Sequence, residues 1–242
     1  MDETADPLRV ERLHEHVEDV VAKEAAGVAR HLGRDALVVE CGDDLVDGQR
    51  RSERERAGRI DLLPRSGHRV VVGRARLVEV VRKSFDGVVL PVSYARAADA
   101  LRAAIDDAGP DVVLCFGLSD TRTKVSVERF AHNLDEASTT DNDEAPGSGK
   151  EIDPAGPLAF RSTLPVDEIV AALDAEGIPA EVSRDAGGFL CNHVFYVLMQ
   201  TLDSGRIGGF IHVPPASALP PEELVRAAGV IVAVCKRHSS KS

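Results

Sequence analysis

From residue 69 to the C-terminus, short apolar runs alternate with longer segments of helical period, and this constrains the fold more than any other feature of the sequence. Residues 69–72, 88–92, 112–116, 180–183 and 210–213 read as strands. Residues 94–108, 166–176, 189–202 and 222–236 read as helices, with Gly109-Pro110 and Gly177 as stop signals for the first two. Strands separated by helices run mostly parallel, and their crossovers cover both faces of the sheet. The expected fold is therefore α/β: a three-layer α/β/α arrangement around a mostly parallel twisted sheet, in a single domain. Upstream, residues 7–32 carry Leu8, Leu13, Val17, Val20, Val21, Ala25 and Val28 at helical spacing, and residues 36–41 read as a strand. Residues 42–68 are polar and turn-rich, and the mixed charges of Arg50 to Arg56 predict a solvated face or loop. The chain thus divides into an N-terminal segment, 1–68 (helix, strand, charged loop), and a core, 69–242. Residues 135–157 show no apolar period and read as loop.

Composition narrows the classes of function. With 242 residues, 43% of them apolar, the chain can bury a sizeable core. A net charge of −11 with no dense Lys/Arg run argues against nucleic acid as a partner. No run approaches the roughly 20 apolar residues of a membrane helix, so no membrane partner is expected. Met1-Asp2-Glu3-Thr4 lacks the basic and apolar regions of a signal peptide, which predicts a cytoplasmic protein. The four cysteines, Cys41, Cys115, Cys191 and Cys235, are far apart with no CxxC pair. Neither a zinc site nor a disulfide framework is expected, and each reads first as a small buried hydrophobe. Two apparent motifs fail. Gly147-Ser148-Gly149-Lys150 has Glu144 where a phosphate loop needs its first glycine, and Glu151 where it needs Ser/Thr. Asp141-Asn142-Asp143 lacks the alternating ligands and later Glu of a calcium loop and reads as a turn.

Three stretches concentrate chemistry. In Ser183-Arg184-Asp185-Ala186-Gly187-Gly188-Phe189-Leu190-Cys191-Asn192-His193, a strand ends, glycines permit a tight turn, and Cys191 falls at a helix start. Helix N-termini favour a thiolate, and their free N–H groups can hold an oxyanion. In Gly208-Gly209-Phe210-Ile211-His212-Val213-Pro214, His212 lies at the C-terminal end of a strand, where open α/β sheets place ligands. Val125 to Asn133 supplies the carboxylate of Glu128. Cysteine, histidine and carboxylate from three strand ends are the parts of a cysteine-nucleophile triad. His132 and His193 flank these motifs and read as structural, and the Phe195 and Met199 side of the Cys191 helix reads as core.

These stretches resemble the pyroglutamyl peptidase I (pyrrolidone-carboxylate peptidase) family of cysteine peptidases. Ser183, Ala186, Gly187, Phe189, Leu190, Cys191 and Asn192 reproduce its nucleophile motif. Glu128-Arg129-Phe130-Ala131-His132-Asn133 matches its acidic motif, and Gly209 to Pro214 its histidine motif. Leu90-Pro91-Val92-Ser93 and Gly156 to Pro165 also look like the family. The resemblance implies Cys191 as nucleophile, His212 as general base and then acid, and Glu128 as the group that orients His212. It implies Phe189 as a substrate-binding residue packing on the lactam ring; Leu118 is the second candidate for that pocket. The implied substrates are peptides with an N-terminal pyroglutamate, cleaved through an acyl-enzyme with no metal or organic cofactor. A homo-oligomer is implied as well.

The chain also departs from the family's pattern. It lacks the Gly-Phe-x-Pro-Phe-Gly-Gly loop after the first strand. Ser119-Asp120-Thr121-Arg122 stands where Ala-Gly-Gly-Arg is usual, and only Arg122 is kept. Residues 136–142 lack the usual Arg and Pro, with Ser138 at the Arg position. These departures keep two other readings open: a catalytically degenerate binding or assembly protein, and a hydrolase of another lactam or amide.

Overall fold

The computed structural model describes residues 36–41, 86–147 and 149–239. Eight strands follow in chain order: β1 (Ala36–Cys41), β2 (Asp86–Leu90), β3 (Val112–Leu118), β4 (Val125–Glu128), β5 (Phe130–His132), β6 (Ala159–Arg161), β7 (Ala180–Ser183) and β8 (Ile207–Val213). Among them run four helices: α1 (Tyr94–Ala108), α2 (Val166–Ala175), α3 (Leu190–Thr201) and α4 (Pro221–Ser239). Six strands form one sheet in the order β2-β1-β3-β8-β4-β7, and β5 and β6 form a separate antiparallel ribbon.

Side-chain alternation along the strands builds the three expected layers. Val112 and Leu114 of β3, Val125 and Val127 of β4, and Ile211 and Val213 of β8 pack with Ile169 and Leu173 of α2 and Ile231 and Val232 of α4. Val113 and Cys115 of β3 and Phe210 of β8 face the other way, onto Leu101 and Ile105 of α1 and Phe195 and Leu198 of α3. His212 and Glu128 share the parity of Phe210, so both functional candidates point to the α1/α3 side. β1, from the stretch before residue 69, lies between β2 and β3 and is parallel to both. Its register puts Cys41 opposite Gly117, which is opposite His212.

The helix ends follow their local chemistry. Ser93 caps α1, its Oγ accepting the Arg96 N–H at 3.2 Å. Gly109 closes α1 at φ +55°, a left-handed conformation that side chains with a Cβ resist. The strand predicted over 88–92 lies at 86–90, because Pro91 has no N–H for the ladder. The Val92 carbonyl is taken instead by the Asn142 N–H, and Ser93 N–H turns back to the Pro91 carbonyl. The strand at 112–116 continues to Leu118, and the one at 210–213 starts at Ile207, where Gly208-Gly209 hides the strand from a propensity reading. β4, β5 and β6 had no strand assignment in the sequence reading.

The sheet is mixed. Four of its neighbouring pairs are parallel, and β4 runs antiparallel to β8. Only residues 119–124 connect β3 to β4, too few for a crossover that would return the chain in parallel. The expected helix at 7–32, charged loop at 42–68 and strand at 69–72 lie outside the described residues. No described helix is long and apolar enough to cross a membrane.

The Asp141-Asn142-Asp143 segment is the turn that its sequence suggested. The Asp141 carboxylate accepts N–H bonds from Tyr94, Asp143 and Ala145 at 2.8–2.9 Å. Asp143 accepts Ser93 Oγ at 2.6 Å and two nitrogens of Arg96, whose guanidinium holds the Asp143 carboxyl below its ordinary range. These bonds tie the 135–147 loop to the start of α1.

Gly209 provides a test of packing on the face away from the functional candidates. A Cβ there would meet Ser162 Oγ and lie 2.6 Å from Leu164 Cδ1. Gly209→Ala should destabilise the fold by about 1–3 kcal/mol. Urea denaturation should show a lower midpoint with an unchanged slope.

Candidate active site

The site is assembled where β3, β8, β4 and the start of α3 converge. His212 is the sixth residue of β8, and Ser126 of β4 lies directly opposite it. Two residues further along β4, Glu128 is its diagonal neighbour on the same face, within reach of a long side chain. His212 Nδ1–H donates to Glu128 Oε1 at 2.8 Å. Glu128 is fully buried and His212 is 6% exposed. That bond fixes the proton on Nδ1 and leaves Nε2 as the basic nitrogen. The Phe210 ring, 4.9 Å centroid to centroid, packs against the imidazole from within the same strand.

The nucleophile candidate enters from another direction. β7 ends at Ser183, Gly187 turns the chain at φ +81°, and α3 begins at Leu190. Cys191 is the second residue of α3, which begins one residue later than anticipated from sequence, with Phe189 at the N-cap. Cys191 lines a cavity of about 210 Å³ together with His212, Phe189, Leu118, Ser119, Asp120 and Thr121. All five sequence-predicted residues thus meet: Cys191, His212, Phe189 and Leu118 line one cavity, and Glu128 sits behind His212. Asp120 brings a carboxylate to the rim.

Several further residues hold this geometry. A Cβ on Gly117 would lie 2.9 Å from Cys191 Sγ and 2.8 Å from Phe210 Cζ, so β3 can pass the thiol only without a side chain. Asn192 is fully buried. Its Nδ2 donates to the carbonyls of His132 and Leu134, and its Oδ1 accepts the His132 N–H. These three bonds lock the first turn of α3 to β5. His193 Nδ1 bonds Asp135 at 2.9 Å, and the ring of Tyr94 lies edge-on to both Phe189 and His193, at 5.7 and 5.3 Å. His132 Nε2 contacts the Arg184 carbonyl at 3.2 Å. Each of the two histidines thus bonds a neighbouring segment of the chain. The Glu136 and Ala137 N–H groups both reach the Gly188 carbonyl, which pins the 135–147 loop over the nucleophile turn. Gly117 and Tyr94 carried no sequence signal of this role, since each acts through a tertiary contact. Asn192 did have one, its place directly after the cysteine.

Two arginines lie near Glu128 in the sequence, Arg122 and Arg129. Arg129 turns outward to Asp167 at 2.6 Å, whereas Arg122 Nη2 reaches Glu128 Oε1 at 3.4 Å. Among the described residues, no group of three or more His, Cys, Asp or Glu side chains could hold a metal ion.

Comparison with known proteins gives one family. The sequence profile of the pyroglutamyl peptidase family matches residues 74–230. A pyrrolidone-carboxylate peptidase of Clavibacter michiganensis is 43% identical over 145 residues, covering 57% of this chain and 68% of its own. One from Gloeobacter violaceus is 44% identical over 142 residues, covering 58% and 67%. The solved pyrrolidone carboxyl peptidase of Thermococcus litoralis superposes with a TM-score of 0.67 at 27% identity, over 86% of this chain and 96% of that one.

The three described thiols differ sharply in environment. Burial pushes the Cys235 thiol up to about 12 and that of Cys115 higher still, so both stay protonated at neutral pH. Iodoacetamide at pH 7.5 should label Cys191 in the native protein and leave Cys115 and Cys235 unlabelled until the chain is unfolded, as read by peptide mass mapping. In Gly117→Ala, displacement of the thiol should slow that labelling by about 10-fold or more.

Proposed function

The chain belongs to the pyroglutamyl peptidase family, and from that premise we propose that it removes N-terminal pyroglutamate from peptides with Cys191 as its nucleophile. The observation that carries the residue assignment is the buried Glu128–His212 pair, whose imidazole opens on the cavity that also holds Cys191. His212 Nε2 takes the thiol proton. Cys191 Sγ bonds to the carbonyl carbon that links the pyroglutamyl ring to the next residue, and the carbonyl π electrons move onto oxygen. The first turn of α3 faces that oxygen, where N–H groups and the helix dipole stabilise negative charge. The oxyanion collapses, the C–N bond breaks, and the departing nitrogen takes the proton from His212. A thioester remains. Water then gives its proton to His212 and its oxygen to the carbonyl carbon. The C–S bond breaks, the departing sulfur takes that proton back from His212, and pyroglutamic acid leaves.

Glu128 acts through His212. A fully buried carboxylate at 2.8 Å favours the imidazolium that forms during both steps, and it holds the ring in the tautomer the chemistry requires. Phe189 and Leu118 form the apolar wall for the lactam ring, which carries no charge. Phe189 is held in place by the edge of Tyr94. We assign the hydrolytic machinery to residues 69–242, with the N-terminal segment 1–68 lending β1 to the sheet. A cytoplasmic setting suits a mechanism that depends on a reduced thiol. A homo-oligomer is the assembly that the family resemblance implies, and size-exclusion chromatography with light scattering would measure it.

The wild type should hydrolyse a pyroglutamyl fluorogenic amide, and Cys191→Ala should abolish that turnover. Glu128→Gln, with the wrong tautomer favoured on His212, should lower kcat by about 10²–10⁴-fold with little change in KM. Absence of turnover by the wild type, or turnover retained by Cys191→Ala, would sink the assignment.

A further inference from the structure

Arg122 stands between β3 and β4, three-quarters buried, and touches the functional site at several points. Its Nη2 donates to Glu128 Oε1 at 3.4 Å, to Ser183 Oγ at 3.1 Å and to the Asp185 carbonyl at 3.0 Å. Its Nη1 lies 3.5 Å from Glu181. Ser183 in turn bonds both the N–H and the carbonyl of Asp185. One guanidinium therefore joins the end of β4, the end of β7 and the turn that leads to Cys191.

Glu128 needs that cation. It is fully buried, and its Oε2 accepts no hydrogen bond among the described residues. A buried carboxylate keeps its charge only when opposite charge or donors compensate it. While His212 is neutral, Arg122 is the one full positive charge within hydrogen-bond range of Glu128 among the described residues. We propose that Arg122 is a positioning residue of this site. It keeps Glu128 ionised through the resting state, and by the same nitrogen it fixes the nucleophile turn relative to the acid. Through Glu128 it holds the Nδ1–H tautomer of His212, and its charge favours the Cys191 thiolate. This inference rests on the roles given above to Cys191, His212 and Glu128.

The test is the pH profile of Cys191 alkylation by iodoacetamide, compared among wild type, Arg122→Lys, Arg122→Gln and Arg122→Met. The charged groups around Arg122 are Glu128 on β4, Glu181 on β7, His212 on β8, Asp120 in its own loop and Asp185 in the nucleophile turn. All of these stay constant across the series. Removing a positive charge raises the proton affinity of every group it faces, so the acid limb should move to higher pH in the Gln and Met variants. A shift of about half a pH unit or more is expected, the partial exposure of Arg122 weakening the effect of its charge. Labelling below the midpoint would then be about 3-fold slower. Arg122→Lys keeps the charge and should keep the wild-type profile. A merely structural Arg122 would lower the melting temperature without moving the midpoint. Superimposable profiles in a folded Gln or Met variant would overturn the proposal, and so would equal shifts in Lys and Gln. Gln keeps an amide donor and Met keeps the apolar stem, so the two carry different folding risks. Turnover of a pyroglutamyl amide by the wild type tests the underlying reading separately, because alkylation reports on the triad whatever the substrate is.

Discussion

The bond between Glu128 and His212 sets the terms for the rest of this structure. It joins a fully buried carboxylate to an almost fully buried imidazole across an antiparallel strand pair. Two such groups can occupy a sheet interior only when each satisfies the other and further partners share the charge. That requirement is met where β4 runs against β8, an arrangement set by the short 119–124 connection. An antiparallel pair brings residues two apart onto one face as diagonal neighbours, near enough for a glutamate to reach a histidine. The same requirement explains Arg122, whose guanidinium comes in from the turn before β4, and Phe210, whose ring shields one side of the imidazole.

Cys191 is placed by a different set of forces. α3 is buried almost all round, with Val194 to Met199 in the core, so its position is fixed mainly by apolar burial. Its first turn has no side-chain cap. The end that carries Cys191 is held instead by Asn192, which exchanges three hydrogen bonds with the backbone of 132–134, and by His193 on Asp135. Leaving the cap position to Phe189 has a consequence for the site. Its ring becomes part of the cavity wall rather than part of the helix end.

How much of this could be read from the sequence depends on whether a residue acts through its own segment. α1 was legible to the residue, since Ser93 and Gly109 are local signals of a start and a stop. Cys191, His212 and Glu128 each sit in a distinctive run, and the structure brings Cys191 and His212 to one cavity with Leu118 and Phe189, with Glu128 behind His212. β4 was not legible as a strand. Val125-Ser126-Val127-Glu128 alternates apolar and polar residues, but over four residues only, too short a run to mark a strand, and both of its polar residues are buried. Its direction was hidden too, because it is decided by the length of the 119–124 turn and by pairing with a strand about 80 residues away. Gly117 is a plain strand residue in sequence. Only the tertiary structure shows that a methyl group there would collide with the thiol.

The same distinction accounts for where this chain departs from its family. Cys191, His212 and Glu128 and the residues that support them lie on strands, on the first turn of α3, and on backbone bonds whose loss would leave buried polar groups unpaired. Substitution there costs both fold and chemistry at once. The cavity wall contributed by Ser119, Asp120 and Thr121 is a surface turn, where a changed side chain disturbs no ladder and no core. Its effect falls instead on what may enter. Asp120 places a negative charge beside a cavity otherwise walled by Leu118 and Phe189. A neutral lactam bears no charge for it to repel, whereas a free N-terminal glutamate, with its side-chain carboxylate, would be opposed. The altered wall thus changes the charge at the cavity rim and leaves the Glu128–His212 pair and the start of α3 in place.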